Sequence, residues 1–172
     1  MMRALTIAAL AGLATSASAQ STWTGAGDGF SWTDAINWDN GDPNGAGVDV
    51  VIDGDNGNNV EVTLDTFRTV GALTITVDDS LRLLQGASLT ISSGLTNDGT
   101  LFVDAADSSS TDVVLAFSGD STIAGSGSIV MSDDFDNLVR STAAVLTNGA
   151  AHTIRGGGGI LAGLGTQEQT LG

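Results

Sequence analysis

The chain reads as all-β, a right-handed parallel β-helix with an aromatic-rich N-terminal cap; a β-sandwich is the competing architecture. Three observations predict this. Short runs such as Val60-Glu61-Val62-Thr63-Leu64 and Leu73-Thr74-Ile75-Thr76-Val77 alternate apolar with polar residues, which turns one face of a strand inward. Between the runs lie turns rich in Gly, Asn, Asp and Ser, with 24 Gly and a single Pro in the chain. Short words also recur, as expected where stacked coils bury a core that no coil could bury alone.

Residues 1–19 read as a signal peptide. Arg3 is the positive start, Ala4 to Ala14 is an apolar run too short to span a bilayer, and Ala17-Ser18-Ala19 fits the A-x-A cleavage rule. Cleavage before Gln20 removes one arginine and no acid. The mature part then sets 20 acids against four arginines, a net charge of −16, with no lysine. Such a chain repels nucleic acid and anionic lipid, and no mature segment is long and apolar enough for a membrane helix. The acids are 18 Asp and 2 Glu, and Asp favours turns over helices. With no cysteine, stability must come from packing.

Residues 20–59 read as the cap. They hold Trp23, Phe30, Trp32 and Trp38, which include every Trp in the chain, and the turn Asp39 to Asn44. Large aromatics suit the open end of a solenoid core. Val48 to Ile52 reads as a strand. Residues 60–172 read as the β-helix repeats. Asp136 to Leu146 is the sole helix candidate there, with ambiguous spacing.

The strongest repeat is T-I-x-G-x-G-x-I, at Thr122 to Val130 and again at Thr153 to Leu161, 31 residues on. It predicts that Ile123 and Ile154, and likewise Ile129 and Ile160, hold equivalent inward positions. Leu95-Thr96-Asn97 recurs as Leu146-Thr147-Asn148, and Leu73-Thr74-Ile75 as Leu89-Thr90-Ile91.

Trp23-x-Gly25-x-Gly27, Trp32, Asn37-Trp38, Pro43 and Asp49 to Ile52 resemble the opening of large secreted bacterial β-helix proteins. The words GALTI, GASLTI, LTNDGTL, GSGSI and LTNGAAHTI are similar to passenger repeats of the autotransporter and filamentous-adhesin type. The resemblance covers residues 23 to about 161 and implies a parallel β-helix shown or released outside the cell, often as a stalk or adhesin. The family's C-terminal barrel, sorting motif or anchor does not follow within this sequence. The chain therefore reads as a fragment of a longer protein or a short secreted relative, incomplete at its C-terminal end.

No catalytic set emerges, and the expected function is a non-enzymatic structural or adhesion module. His152, the only histidine, reads as an exposed strand-edge residue, matched by the 31-residue repeat to Ser121. Arg68 and Arg82 read as solvating outer faces. Calcium is the one cofactor left open. Its hard-oxygen candidates are Asp53 and Asp55 in one turn and Asp133, Asp134 and Asp136 in another, though neither matches an EF-hand loop and solvated turns are the plainer reading. The three Trp could stack on sugar rings, but cap packing is the simpler role. Two further readings stand beside the first: a fragment of a carbohydrate-active β-helix enzyme (a glycosidase or polysaccharide lyase), and a calcium-dependent sugar-binding module with a polysaccharide or surface ligand. A carboxylate pair with a cation in one groove would favour the enzyme. Bare Ser/Thr/Asn faces would favour the structural role.

Overall fold

The computed structural model describes residues 19–54, 58–105, 111–142 and 145–161. The predicted leader therefore lies outside the described residues except for Ala19, which opens the first strand.

Every strand-to-strand pairing among these residues is parallel, which excludes the antiparallel sandwich and makes the chain a parallel β-helix of about four turns. Three ladders run round one core. The first joins β1 (Ala19–Thr22), β2 (Val48–Ile52), the second half of β4 (Phe67–Ile75) and the second half of β6 (Ser88–Asn97). It continues through β9 (Ser121–Ala124) to β12 (Leu146–Asn148). The second joins β3 (Glu61–Leu64), β5 (Ser80–Leu83), β7 (Thr100–Val103), β10 (Ser128–Met131) and β13 (Thr153–Gly156). The third joins the first halves of β4 and β6 to β8 (Val113–Phe117), β11 (Asn137–Ser141) and β14 (Gly159–Leu161). β4 and β6 each turn a corner of the prism, where their register shifts between Val70 and Ala72. The span offered as a helix candidate, Asp136 to Leu146, contains β11 and the start of β12.

Alternation along each strand decides which side chains enter the core. Leu81, Leu101 and Ile129 are fully buried and stack one above another, with Ile154 packed below them. Successive steps in this column are 20, 28 and 25 residues. Each buried Leu or Ile contributes about 1.5–3 kcal/mol by leaving water. The coils differ in length because their corners differ, while the inward rows keep the one-per-coil contact that a solenoid needs.

This register corrects the 31-residue repeat. Ile123 stands between Leu95 and Asn148 in the first ladder, whereas Ile154 pairs with Ile129 in the second. Ile160 pairs with Val139 in the third. The two T-I-x-G words are alike because they build the same kind of corner at different edges of the prism. Gly125 has φ +99° and Gly156 has φ +114°, and a side chain at either would collide with the backbone of the preceding coil, at Asn97 and Met131 respectively. Only glycine meets both demands. Leu73-Thr74-Ile75 likewise stacks on Leu95-Thr96-Asn97 rather than on Leu89-Thr90-Ile91. Asn148 aligns with Ile123 and so with Leu95, two residues from the alignment that the L-T-N repeat suggests.

At the N-terminal end the three tryptophans form one cluster. Trp38 meets Trp23 edge-on and Trp32 at a tilt, each with ring centroids 4.9 Å apart. Their exposures are 3%, 0% and 4% for Trp23, Trp32 and Trp38, so all three cover the core. Trp38 Nε1 donates to Trp32 O at 2.8 Å and Trp32 Nε1 to Pro43 O at 3.2 Å. Asn37 ties the surrounding loop, accepting from Gly27 N and Gly29 N and donating to Asp28 Oδ1 and Ser31 O. The Phe30 and Ser31 N–H groups also hold Asp28, keeping its carboxyl below the ordinary range. Arg68 departs from the outer-face expectation. Its register position matches inward Leu89, and its guanidinium grips the cap residue Asp42 through Nε and Nη2. At this end of the core a charged pair replaces an apolar layer.

Candidate functional site

The second ladder carries the densest set of charged and aromatic groups. Thr63, Arg82, Phe102, Val130 and Arg155 form one of its outward rows. Arg82 reaches back to Glu61, with Nε and Nη2 at 3.1 and 2.9 Å from its carboxylate oxygens, and forward to Asp104 at 2.6 Å. Its guanidinium carbon lies 4.1 Å from the centroid of the Phe102 ring. Two carboxylates, one cation and one aromatic are thus locked together across three coils. Both carboxylates hold the Arg82 charge more firmly, so its pKa rises. A shallow open groove of about 410 Å³ adjoins them, lined by Glu61, Val77 to Ser80, Asp98 to Thr100, and Phe102.

The chemistry of this set is limited by its own geometry. A glycosidase needs two carboxyls facing each other across a bond, with different proton affinities. Between Glu61 and Asp104 the space is filled by Arg82, which bonds to both. The arrangement joins coils. Asp79, in the same groove, is also committed. It is buried and accepts hydrogen bonds from Gly54 N and Val60 N at 3.0 Å and from Thr76 Oγ1 at 2.6 Å. It joins Gly54, which follows Asp53, to Val60. Asp53 is half-buried, and Asp55 lies outside the described residues.

The other predicted acidic turn lies where β10 passes to β11. Asp133 is exposed, Asp134 half-buried and Asp136 buried. Asp134 Oδ1 accepts from Asp136 N at 2.8 Å, and Asn137 Nδ2 donates to Ser132 O, Ser132 Oγ and Asp134 O. Asn137 Oδ1 accepts from Ala105 N of the coil above. Asp136 Oδ2 is fully covered and has no hydrogen-bond partner. Burial, then the charges of Asp134 and Asp112, raise its pKa. Asp112 was not among the sequence candidates; only the coil register reveals its neighbourhood. Among the described residues no three His, Cys, Asp or Glu side chains form a group that could by themselves hold a metal.

His152 is buried, at 4% exposure, rather than lying at an exposed strand edge. Its Thr153 neighbour pairs with Ser128, so His152 aligns with Gly127 and not with Ser121. The ring sits between two amides: Nε2 is 3.0 Å from Asn97 Nδ2 and Nδ1 is 2.8 Å from Asn148 Oδ1. Asn97 Nδ2 also donates to Ser128 O at 3.0 Å. With the amide so turned, ring Nε2 accepts and the single ring proton sits on Nδ1. Burial lowers the pKa of His152, and the charge of Asp98 opposes this. A neutral ring with both nitrogens committed braces the core and offers no free base.

The buried tryptophans are likewise withdrawn from ring stacking with a sugar. Among the described residues no helix is long and apolar enough to cross a membrane. Comparison of the chain with protein-family models, with curated proteins and with solved structures found no match.

Proposed function

We propose that the chain is a non-enzymatic structural or adhesion-type β-helix module, working at a bacterial surface or as a secreted protein. The supporting observation is the Glu61–Arg82–Asp104 set, in which charge is spent on joining coils. Asp79, Asn37 and Asn137 follow the same pattern, each tying a turn to its neighbours. Much of the remaining outer surface is hydroxyl-rich. One row on the second ladder runs Glu61, Ser80, Thr100, Ser128 and Thr153, and Thr74 and Thr96 stack on the first. Such rows provide repeated hydrogen-bonding groups at strand spacing, about 4.8 Å, suited to an extended polar contact. Export rests on Arg3, the apolar run and Ala17-Ser18-Ala19.

The test is to incubate the purified chain, with and without calcium, with acidic and neutral polysaccharides while measuring both retention and new chain ends. Retention without cleavage is expected of an adhesion module, and neither signal of a purely structural one. Cleavage that disappears in Glu61→Gln or Asp104→Asn would overturn the reading in favour of a carbohydrate-active enzyme, the alternative that a carboxylate pair beside a cation keeps in view. For export, N-terminal sequencing of extracellular protein should begin at Gln20. Retention of Met1 on protein confined to the cytosol would contradict it.

A further inference from the structure

The turn that covers the outer edge of β1 carries a reactive dipeptide. In asparagine followed by glycine a main-chain nitrogen can attack the side-chain amide, because glycine has no side chain to crowd the approach. The chain holds four such pairs, at Asn40, Asn44, Asn56 and Asn148. Asn56 lies outside the described residues. The fold treats the other three differently.

In two of them the attacking nitrogen is occupied. Gly45 N donates to Thr69 O at 2.6 Å, and Asn44 Oδ1 accepts from Thr69 N at 3.2 Å. Gly149 N donates to Ile123 O at 2.8 Å, while His152 holds both ends of the Asn148 amide. A side chain on Gly149 would also meet Ile123 O at 2.8 Å, so the preceding coil closes over it. Gly41 N, by contrast, has no hydrogen-bond partner among the described residues. The space around Gly41 is open, since an added Cβ would meet no atom within 4 Å. Asn40 itself is exposed. Its Nδ2 donates to Gln20 O at 2.8 Å and to Asp39 Oδ1 at 3.2 Å, two surface bonds that a departing nitrogen would give up.

We propose that Asn40 is a site of spontaneous deamidation, where the side-chain amide is converted to a carboxylate. Gly41 N loses its proton to solvent and attacks Asn40 Cγ. The new C–N bond closes a succinimide ring, the Cγ–Nδ2 bond breaks, and the nitrogen leaves as ammonia with a proton from water. Water then opens one of the two ring C–N bonds. One opening gives an ordinary aspartate, and the other a β-aspartyl link in which the main chain runs through Cγ. Either product acts on the cap. A donor to Asp39 Oδ1 becomes a second negative charge beside it, and the tie to Gln20 O is lost. The same turn holds β1 through Asp39 N to Thr22 O at 3.0 Å, Thr22 N to Asp39 Oδ1 at 2.8 Å and Ser21 Oγ to Gly41 O at 3.1 Å. A β-aspartyl link lengthens the main chain between Asp39 and Gly41 and puts these anchors out of step. The site is independent of whether the module is structural, adhesive or enzymatic.

The experiment incubates the purified chain in mildly alkaline buffer, once folded and once in urea. Each Asn–Gly pair is followed by peptide mapping, with fragmentation that tells aspartyl from β-aspartyl links. In the folded chain Asn40 should react at least about tenfold faster than Asn44 or Asn148, whose engaged N–H groups must wait for local opening. In urea the three rates should draw together. Asn40→Gln, whose longer side chain closes a ring far less readily, should give no product at this position while keeping the wild-type circular dichroism spectrum. Anion exchange then isolates chain modified at Asn40 alone, whose thermal midpoint should fall below that of the unmodified chain. A folded rate at Asn40 no greater than at Asn44 and Asn148 would overturn the proposal, as would reaction at Asn40 in urea but not in the folded chain. Equal midpoints would refute the effect on the cap.

Discussion

Lowering the pH should loosen the last coils through His152. The ring makes two side-chain hydrogen bonds, to Asn97 and Asn148. At about 1 kcal/mol for each bond, with a further 1–3 kcal/mol for the polar groups left buried and unpaired, His152→Ala should cost about 3–5 kcal/mol. Asn97 would suffer most, being fully buried with its Oδ1 already lacking a partner. The pH effect has a definite sign. Burial depresses the folded pKa of His152 below its ordinary value, so the unfolded chain takes up the proton first as the pH falls. The stability due to the neutral ring is therefore whole above about pH 6.5 and is lost as the pH falls from there through the folded pKa. One proton limits the slope to about 1.4 kcal/mol per pH unit. Protonation would also set an Nε2–H against the Asn97 amide nitrogen, donor against donor. Urea unfolding between pH 8 and 5, followed by circular dichroism, measures the effect. His152→Asn, which retains a donor near Nδ1 but cannot titrate, should flatten that part of the curve. A wild-type curve already flat below pH 6.5, or one with the same slope in His152→Asn, would refute the reasoning.

Further outcomes follow from the same packing. Arg82→Ala should cost about 1–2 kcal/mol, the part-exposed ion pairs counting for little and the Phe102 contact for the rest; denaturation midpoints should show it, with wild type the more salt-sensitive. Trp32→Ala should cost about 3–5 kcal/mol, since the ring is fully buried in the cap. Native emission should be blue-shifted and resist iodide quenching, because all three tryptophans are covered. Gly125→Ala should destabilise by more than the ordinary surface change of about 0.5 kcal/mol, because both its φ and the Asn97 backbone oppose a side chain; equal thermal midpoints would contradict this.

Period-two runs identified many of the strands, because alternation is local and depends on burial of one face, but β1 and β11 were not among them. Val62, Leu64, Leu81 and Leu83 all point inward as their spacing predicts. The tryptophan cap was legible for a similar reason: large aromatics near a turn-rich end have few other places to go. Register was not legible. Resemblance between T-I-x-G words reports a shared corner, and corners of similar chemistry occur at different edges of the prism. Ile123 and Ile154 thus look equivalent in sequence while standing on different ladders. That error carried over to His152, whose false alignment with Ser121 hid its place between Asn97 and Asn148. Arg68 shows a further limit, since an inward charge is intelligible only once Asp42 from the cap is seen to meet it.

The coil register underlies the Arg82 ladder and the His152 brace alike, and the absence of cysteine makes it directly measurable. Ser128→Cys with Thr153→Cys places two labels on adjacent outward positions of β10 and β13, about 5 Å apart at strand spacing. Thr122→Cys with Thr153→Cys places them 31 residues apart in sequence, as the repeat words would pair them, but on different ladders. With pyrene on both cysteines, strong excimer emission is predicted for the Ser128/Thr153 pair and monomer emission for the Thr122/Thr153 pair. The reverse pattern would contradict the register.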